Sequence, residues 1–541
     1  MTTLDGSPRL IHGSRGPRSA GCRWFPILFL CPLALFLAGC PSNQSKSNSK
    51  RNEQPLKGLK LRLLVVDDAA LADAAGRLRG EWNTQTGSEL EVAQAASKDL
   101  EAAKSLSADA VIAPSYLLGS LAEEDLLASV PQTFLENRDW ISLFDLLKLR
   151  EATWGRQAET KTKGVPFGSP VLVCYYRPDL LQTLGRRPPQ TWREYQELVK
   201  LLSSQKPAGD GPWNSTLEPL APGWAGLVLL SRAAPYAKHR ESFSTLFNID
   251  TMEPLLTTPA MQQALEELVA AAKAGTIDPL AMDPAAVRAA FWKGQCGMAL
   301  TWPTAANDGE TQRADAEKPS VAAKSETSPT SETNTAETKP AETKAAAETA
   351  SAAPAVSVTP IPIGFAELPG TERVYNLSSR EWNTRADDED THVPLLNLAG
   401  RLGMVNNKSA NTEAAFQLLS WLADNRTSLQ VSAASPFTTV FRRSQADAIG
   451  DWVEKAVPQA AADQYLAATS TTLCREQWLA ALPLPGRADY LAALDEAVHA
   501  AVRGQKSPAD ALLQANDAWK KITEKLGMER QRSAYRHSLG W

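Results

Sequence analysis

Residues 283–303 read DPAAVRAAFWKGQCGMALTWP, and the way this stretch folds decides the fold of the chain around it. Asp283 can cap a short helix whose first position is Pro284, where the missing N–H costs nothing. Val287, Ala290 and Phe291 then fall on one helical face, and Gly294 ends the helix. Residues 296–302 follow as a compact apolar run, the pattern of a buried strand. That strand brings Trp302, and then the strand-ending Pro303, to an edge of a sheet. A large aromatic at such an edge is either part of a binding surface or a core residue closing the strand. These residues alone leave both readings open.

Working outward, the N-terminal part repeats the same helix and strand logic. Residues 59–66 alternate and then become continuously apolar, as in a strand entering a covered sheet, and they end in Asp67-Asp68. A helix follows with Leu71, Ala74, Leu78 and Trp82 on one face and Gly87 as its stop. Residues 90–92 and 109–113 are two further strands, the latter closed by Pro114-Ser115, and 117–127 reads as a helix. Alternation of this kind indicates an α/β layer with a mainly parallel sheet. Ligands collect at the carboxyl ends of strands in such sheets, which is where Asp67, Asp68 and Ser115 lie. Asp68 and Ser115 also suit helix N-caps, and the two roles are compatible.

Residues 164–177 (GVPFGSPVLVCYYR) form the next strong strand. Thr191-Trp192-Arg193-Glu194 has the form of a capping box and opens a helix through Leu202. Residues 207–226 read as a Gly/Pro/Trp-rich loop holding Trp213 and Trp224, either functional or a lid over the core. Residues 261–274 are helical and lead back to the opening stretch. Residues 304–358 differ in kind: they are built of Ala, Thr, Glu, Ser, Lys and Pro, and no aromatic occurs between Trp302 and Phe365. Such a segment cannot bury enough apolar surface to offset its ordering entropy, so a disordered insert within a domain is expected. Residues 395–405 look like a strand running into Asn406-Asn407. A helix follows, with Ala414, Ala415, Leu418, Leu419 and Leu422 as its stripe. The C-terminal part is helical, with one stripe through Leu491, Leu494, Val498 and Val502 and another helix started by Ser507-Pro508. The polar stretch 382–390 (WNTRADDED) fits none of these elements.

The 541 residues leave room for two domains or more. Fifteen Trp is a high count and suits flat, partly polar ligands, although a single Trp is more often core. The first forty residues stand apart from the fold. Arg9, Arg15, Arg18 and Arg23 precede an apolar stretch at 24–38 that is short for a membrane span. It ends in Leu37-Ala38-Gly39-Cys40, which resembles the lipobox of bacterial lipoproteins. That resemblance implies cleavage of residues 1–39 and a lipid anchor on Cys40, with 40–56 as a polar tether. Removal of 1–39 takes four Arg and one Asp, so the net charge moves from −5 to −8, with 52 basic against 60 acidic residues. A mildly acidic chain argues against nucleic acid as a partner. Of the six Cys, Cys174, Cys296 and Cys474 remain in the mature part, so one disulfide at most can form. Cys174 and Cys296 lie in apolar runs and read as buried thiols. The five His (12, 239, 392, 499 and 537) form no ligand spacing, and no metal site is expected.

Five stretches in order now resemble one family: 164–181, 191–198 (TWREYQEL), 291–303 (FWKGQCGMALTWP), 400–422 (GRLGMVNNKSANTEAAFQLLSWL) and 507–522 (SPADALLQANDAWKKI). They are similar to the extracellular solute-binding proteins of bacterial ABC importers, especially the sugar-binding group that includes maltose-binding protein. The resemblance implies a two-lobed α/β fold of the type II periplasmic-binding-protein kind, with hinge crossings near 167–170, 299–301 and 402–405. One lobe would hold 57–168 plus 300–402, with the insert projecting from it, and the other 169–299 plus 403–541. It implies a small polar solute, most simply a carbohydrate, held in the interlobe cleft by hinge closure. Permease subunits in the membrane would be its protein partners, and a monomer on the extracytoplasmic side is expected. Trp302 and Trp224, with Trp213 and Phe167 behind them, are the candidates for stacking on a sugar ring. Asp67, Asp68 and Ser115 are the candidates for its hydroxyls.

Two rivals frame this reading. A nucleophile elbow, a zinc-binding helix, a Walker loop and a dinucleotide fingerprint are all missing, so neither enzymatic activity nor a cofactor is expected. Asp67-Asp68 would be a poor glycosidase pair, because neighbours on a strand point to opposite faces. A lipoprotein that keeps the binding fold but senses or scaffolds is the other alternative.

Overall fold

The computed structural model of the chain describes residues 54–205, 211–306 and 361–541. The signal segment, Cys40, nearly all of the tether and nearly all of the expected insert lie outside the described residues. The strands used below are, in chain order, β1 (Lys60–Val66), β2 (Glu89–Ala95), β3 (Ala110–Pro114), β4 (Val165–Gly168), β5 (Val173–Tyr176) and β6 (Asn214–Leu217). They continue with β7 (Cys296–Thr301), β8 (Gly364–Glu367), β9 (Leu395–Leu396), β10 (Arg401–Val405) and β11 (Leu479–Ala480). The first sheet has the order β2-β1-β3-β10-β4, and the second has the order β8-β5-β7-β6. In the first, β1 is parallel to β2 and β3, while β10 is antiparallel to β3 and β4. In the second, β5 is antiparallel to β7 and β8, and β6 is parallel to β7. Most of these strands are buried along their whole length, which explains why they read as unbroken apolar runs.

The opening stretch folds as its residues dictate. Asp283 caps the helix Pro284–Trp292 by accepting from the Ala286 N–H at 2.8 Å, a contact of about 1 kcal/mol. Gly294 follows at φ +71°, a conformation that favours glycine. Strand β7 then runs between β5 and β6. The capping box at Thr191 is complete: its hydroxyl accepts from the Glu194 N–H, and the Glu194 carboxylate accepts from the Thr191 N–H.

Several elements differ from the sequence expectation. The helix at 71–82 is two helices, α1 (Ala69–Arg77) and α2 (Arg79–Thr86), broken between Gly76 and Gly80, both weak helix formers. The run 164–177 is two strands in different sheets. Gly168 turns the chain at φ +115°, and a Cβ there would lie 2.7 Å from the Thr439 carbonyl oxygen. Residues 395–405 split in the same way around Asn397, at φ 59°. Within the expected loop at 207–226, residues 207–210 lie outside the described ones and 214–217 is the fully buried strand β6. The stretch 382–390 begins in a two-stranded ribbon, Arg373–Asn376 against Glu381–Thr384, with Trp382 packed on Tyr375 and Tyr236.

Sheet membership also departs from the division expected for 300–402. Strand β8, on the far side of 307–360, pairs with β5 in the second sheet, and β10 lies wholly in the first, although 403–405 was expected in the other lobe. The chain passes between sheets at 169–172 and again between β8 and β10. These passages touch: a Cβ on Gly400 would lie 2.1 Å from the Ser169 hydroxyl oxygen. One buried carboxylate ties them together. Glu151 Oε1 accepts from the Ser115 hydroxyl at 2.6 Å, the Ser169 hydroxyl at 2.8 Å and the Asn397 N–H at 3.1 Å. Of three apolar clusters among the described residues, one extends through both sheets, taking in Leu402 and Met404 from β10 and Met298 and Leu300 from β7.

Helices flank these strands: α3 (Leu117–Glu123), α4 (Trp192–Leu202), α5 (Ala225–Ala237), and, near the C-terminus, α6 (Arg487–Val502), α7 (Pro508–Leu526) and α8 (Met528–Leu539). Helix α8 reaches across to α3, with Arg530 paired to Glu124 and His537 to Glu123, while its Tyr535 hydroxyl accepts from the Leu246 N–H.

Burial pushes the Glu151 carboxyl above its ordinary value, against the downward pull of its three hydrogen bonds. A carboxyl whose folded-state pKa is raised binds its proton more tightly in the fold, so its contribution is complete below about pH 4.5 and is lost as pH rises. Glu151→Gln is therefore expected to gain on the wild type as pH rises, in urea unfolding between pH 4 and 8. A stability difference that is the same at every pH contradicts this assignment.

Candidate functional site

The carboxyl ends of β1 and β3 face the start of β10, and one ion pair organises the space between them. Asp68 is buried and its carboxylate has three partners: the Leu71 N–H at 3.1 Å, Arg401 Nε at 3.0 Å and the Ser435 hydroxyl at 2.5 Å. It caps α1 and neutralises Arg401 at once. Arg401 spends its other N–H groups on the carbonyls of Ala399 and Asp67. Asp67 itself is exposed, holds a left-handed φ of 49°, and accepts from the Ser97 N–H with both carboxylate oxygens at 3.2 Å.

From Arg401 a ring of contacts can be followed around the site. Its guanidinium lies 4.5 Å from the centroid of Phe437. The neighbouring Pro436 carbonyl accepts from Trp302 Nε1 at 3.0 Å, and the Trp302 ring meets Trp224 at 5.6 Å in a tilted pair. Trp224 opens α5, where the Asp495 carboxylate accepts from the N–H groups of Gly223 and Gly226 at 2.6 and 2.7 Å. A carboxylate at a helix N-terminus complements the backbone dipole there. Gly226 allows this approach, since a Cβ would lie 2.7 Å from Leu494 Cβ. Two turns before Asp495 on α6, Arg487 lies 4.0 Å from the ring centroid of Tyr116, and Tyr116 is within electrostatic reach of Arg401. Burial pulls Arg487 down to about 10, so it keeps its charge at neutral pH. Tyr116, Trp224 and Phe437 are each partly exposed. The result is three accessible aromatic rings, two of them backed by buried guanidinium groups, with Asp67 exposed nearby.

The residues expected from sequence are distributed unevenly over this ring. Trp224 and Trp302 are brought together, as are Asp67 and Asp68. Trp302 is only 1% exposed. Its ring is covered by Trp224 and by Arg288 at 5.8 Å, and Arg288 also donates to the Trp302 carbonyl. Ser115 is fully buried on Glu151. Phe167 is buried in the core of the first sheet, against the position a Gly403 Cβ would take. Trp213 is held at the end of α4, where its Nε1 donates to the Leu202 carbonyl at 3.2 Å.

Arg401, Phe437, Tyr116 and Arg487 were missed. Arg401 carried a signal, being a charge inside the apolar run LLNLAGRLGMV, where an unpaired cation would be costly. Its partner Asp68 is 333 residues away, which no local pattern reveals. Among the described residues no group of His, Cys, Asp or Glu is arranged to hold a metal ion. Cys174, Cys296 and Cys474 are free thiols, and burial pushes the first two well above the ordinary thiol range. No described helix is long and apolar enough to cross a membrane.

Comparison with known proteins supplies the family. Residues 80–427 match the family described as bacterial extracellular solute-binding protein. An ABC transporter solute-binding protein from Agrobacterium radiobacter K84, solved in complex with ribitol, aligns with a TM-score of 0.54 at 16% identity, over 86% of this chain and 100% of that one. The maltose-bound MalE3 of T. maritima aligns with a TM-score of 0.53 at 15% identity, again over 86% of this chain and 100% of that one. At such identities the likeness speaks for the fold alone, a two-lobed periplasmic-binding-protein fold. No curated protein sequence matches the chain. The family match covers more than half of the sequence, and the chain therefore belongs to the bacterial extracellular solute-binding proteins, the extracytoplasmic substrate-binding components of ABC transporters.

Proposed function

We propose that this protein captures a neutral polyhydroxy solute, a sugar or sugar alcohol, against Tyr116, Trp224 and Phe437, and presents it to membrane permease subunits. The observation that carries the reading is the run of contacts that links three partly exposed aromatic rings, with buried arginines behind two of them. Aromatic faces stack on the apolar side of a sugar ring. The guanidinium groups behind Phe437 and Tyr116 bond to protein acceptors and hold those two rings in place. Asp67, exposed at the end of β1, accepts from solute hydroxyls. Trp302 sets the tilt of Trp224 and contacts the solute only as the lobes part, while Asp68 and Ser115 hold the frame. Trp213 and Phe167 stand behind this surface.

Ribitol and maltose, the ligands of the two structural neighbours, support a polyol or sugar as the first solutes to test. The lobes in this reading are centred on the two sheets, with hinge passages at 169–172 and between β8 and β10. Closure about them removes the solute from water. The mature chain acts as a monomer anchored through a lipid on Cys40, and the proposal includes no chemical step.

Two outcomes are expected. In a thermal-shift screen over sugars and sugar alcohols, followed by calorimetry on the best solute, Trp224→Ala and Tyr116→Ala each weaken binding about tenfold or more, the worth of one aromatic stacking contact. Unchanged affinity in both variants sinks the assignment. Arg401→Met, in contrast, leaves Asp68 buried beside a neutral side chain and is expected to cost about 3–5 kcal/mol of stability in urea unfolding. A loss below about 1 kcal/mol would mean that the pair is not a structural joint.

A further inference from the structure

A cavity of about 330 Å³ lies apart from the aromatic ring of the proposed solute surface. Its walls come from Arg150, from the 238–246 segment after α5, from Trp478 beside β11, and from Tyr535 and Leu539 of α8. That volume is at the lower end of the range for small-molecule sites. Three cations line it, Arg150, Lys238 and Arg240, against one carboxylate, Glu476. Among the described residues, none of the three cations has a carboxylate within 4.0 Å. Lys238 is half-buried, while Arg150 and Arg240 lie at the exposed mouth of the cavity. The wall therefore presents net positive charge around a half-buried ammonium, a setting that attracts a small anion.

The geometry is specific as well as charged. The Lys238 ammonium donates to the Ser242 carbonyl at 3.0 Å and the Phe243 carbonyl at 3.1 Å, which fixes its position. Arg150 lies 5.4 Å from the ring centroid of Trp478. An indole that also lines the cavity thus sits beside a guanidinium, the arrangement that takes a flat body and its anionic group together.

We propose that this cavity is a second ligand site, which takes a small organic anion: a single flat ring bearing one carboxylate or phosphate group. A neutral polyol would leave all three cations as they are, so the chemistry differs from that of the surface around Trp224. Burial and the neighbouring Arg150 bring the Lys238 ammonium down to about 8. An anion beside it favours the charged form, so binding near pH 8 takes up protons.

The test is calorimetry on the full chain with phenyl phosphate, benzoate and, as the neutral control, benzyl alcohol. Saturable binding by either anion is expected, with proton uptake at pH 8 shown by heats that differ between buffers of different ionisation enthalpy. Binding by phenyl phosphate only, benzoate only or both supports the site and identifies the anionic group. Affinity should fall about tenfold or more in both Lys238→Met and the solvent-facing Arg150→Gln, and should not change in Trp224→Ala, which tests the other surface. The proposal is overturned if neither anion saturates the protein, if benzyl alcohol binds as well as the anions, or if both cation variants bind with wild-type affinity.

Discussion

One buried carboxylate fixes the architecture around the site. Asp68 caps α1, neutralises Arg401 and accepts from Ser435, so it joins three segments that are far apart in the chain. Taking two charges out of water is costly unless each is fully partnered. Arg401 meets that requirement through Asp68 and the carbonyls of Ala399 and Asp67. Once this joint forms, the start of β10 is fixed against the end of β1, and the guanidinium plane is left facing Phe437. Pro436 then receives the Trp302 indole, and Trp302 supports Trp224. The aromatic surface follows from the polar joint beneath it.

A second polar node, Glu151, has a different character. It gathers Ser115 at the end of β3, Ser169 in one passage between the sheets and Asn397 in the other. The passages are close-packed there, so neither can move far without its neighbour. One apolar cluster takes in residues of both sheets and joins them further. The aromatic rings above these nodes are exposed only in part. The C-terminal helix α8 reinforces this packing from outside by pairing with α3.

The sequence revealed this architecture where local rules suffice. Asp283 with Pro284, the Thr191 capping box and the apolar run of β7 act within a few residues, and all three formed as their patterns require. The family resemblance rested on stretches of this sort. Breaks were harder to see. Gly168 and Asn397 interrupt apolar runs because the backbone must turn between two sheets, and an apolar pattern carries no record of which sheet a strand will join. Strand β6 was hidden because Gly, Pro and Trp around it read as loop. The site was the least legible part. Asp68 and Trp224 were singled out for their positions, but Arg401, Arg487 and Tyr116 acquire their roles only through partners hundreds of residues away, and Phe437 acquires its role through Arg401. Trp302 illustrates the limit: its chemistry suits a sugar, yet its burial is decided by Arg288, Trp224 and Pro436.

The central claim is that the two halves swing about the passages at 169–172 and between β8 and β10 to admit and enclose a solute. Spin labels on Asp73→Cys beside the first sheet and Lys200→Cys beside the second, in a Cys474→Ser background, report that motion directly, because Cys174 and Cys296 are buried and escape labelling. Pulsed electron resonance should show a broad or two-peaked distance distribution without solute, collapsing to the shorter distance when a saturating sugar or sugar alcohol is added. A single distribution, identical with and without a solute shown by calorimetry to bind, would contradict the account.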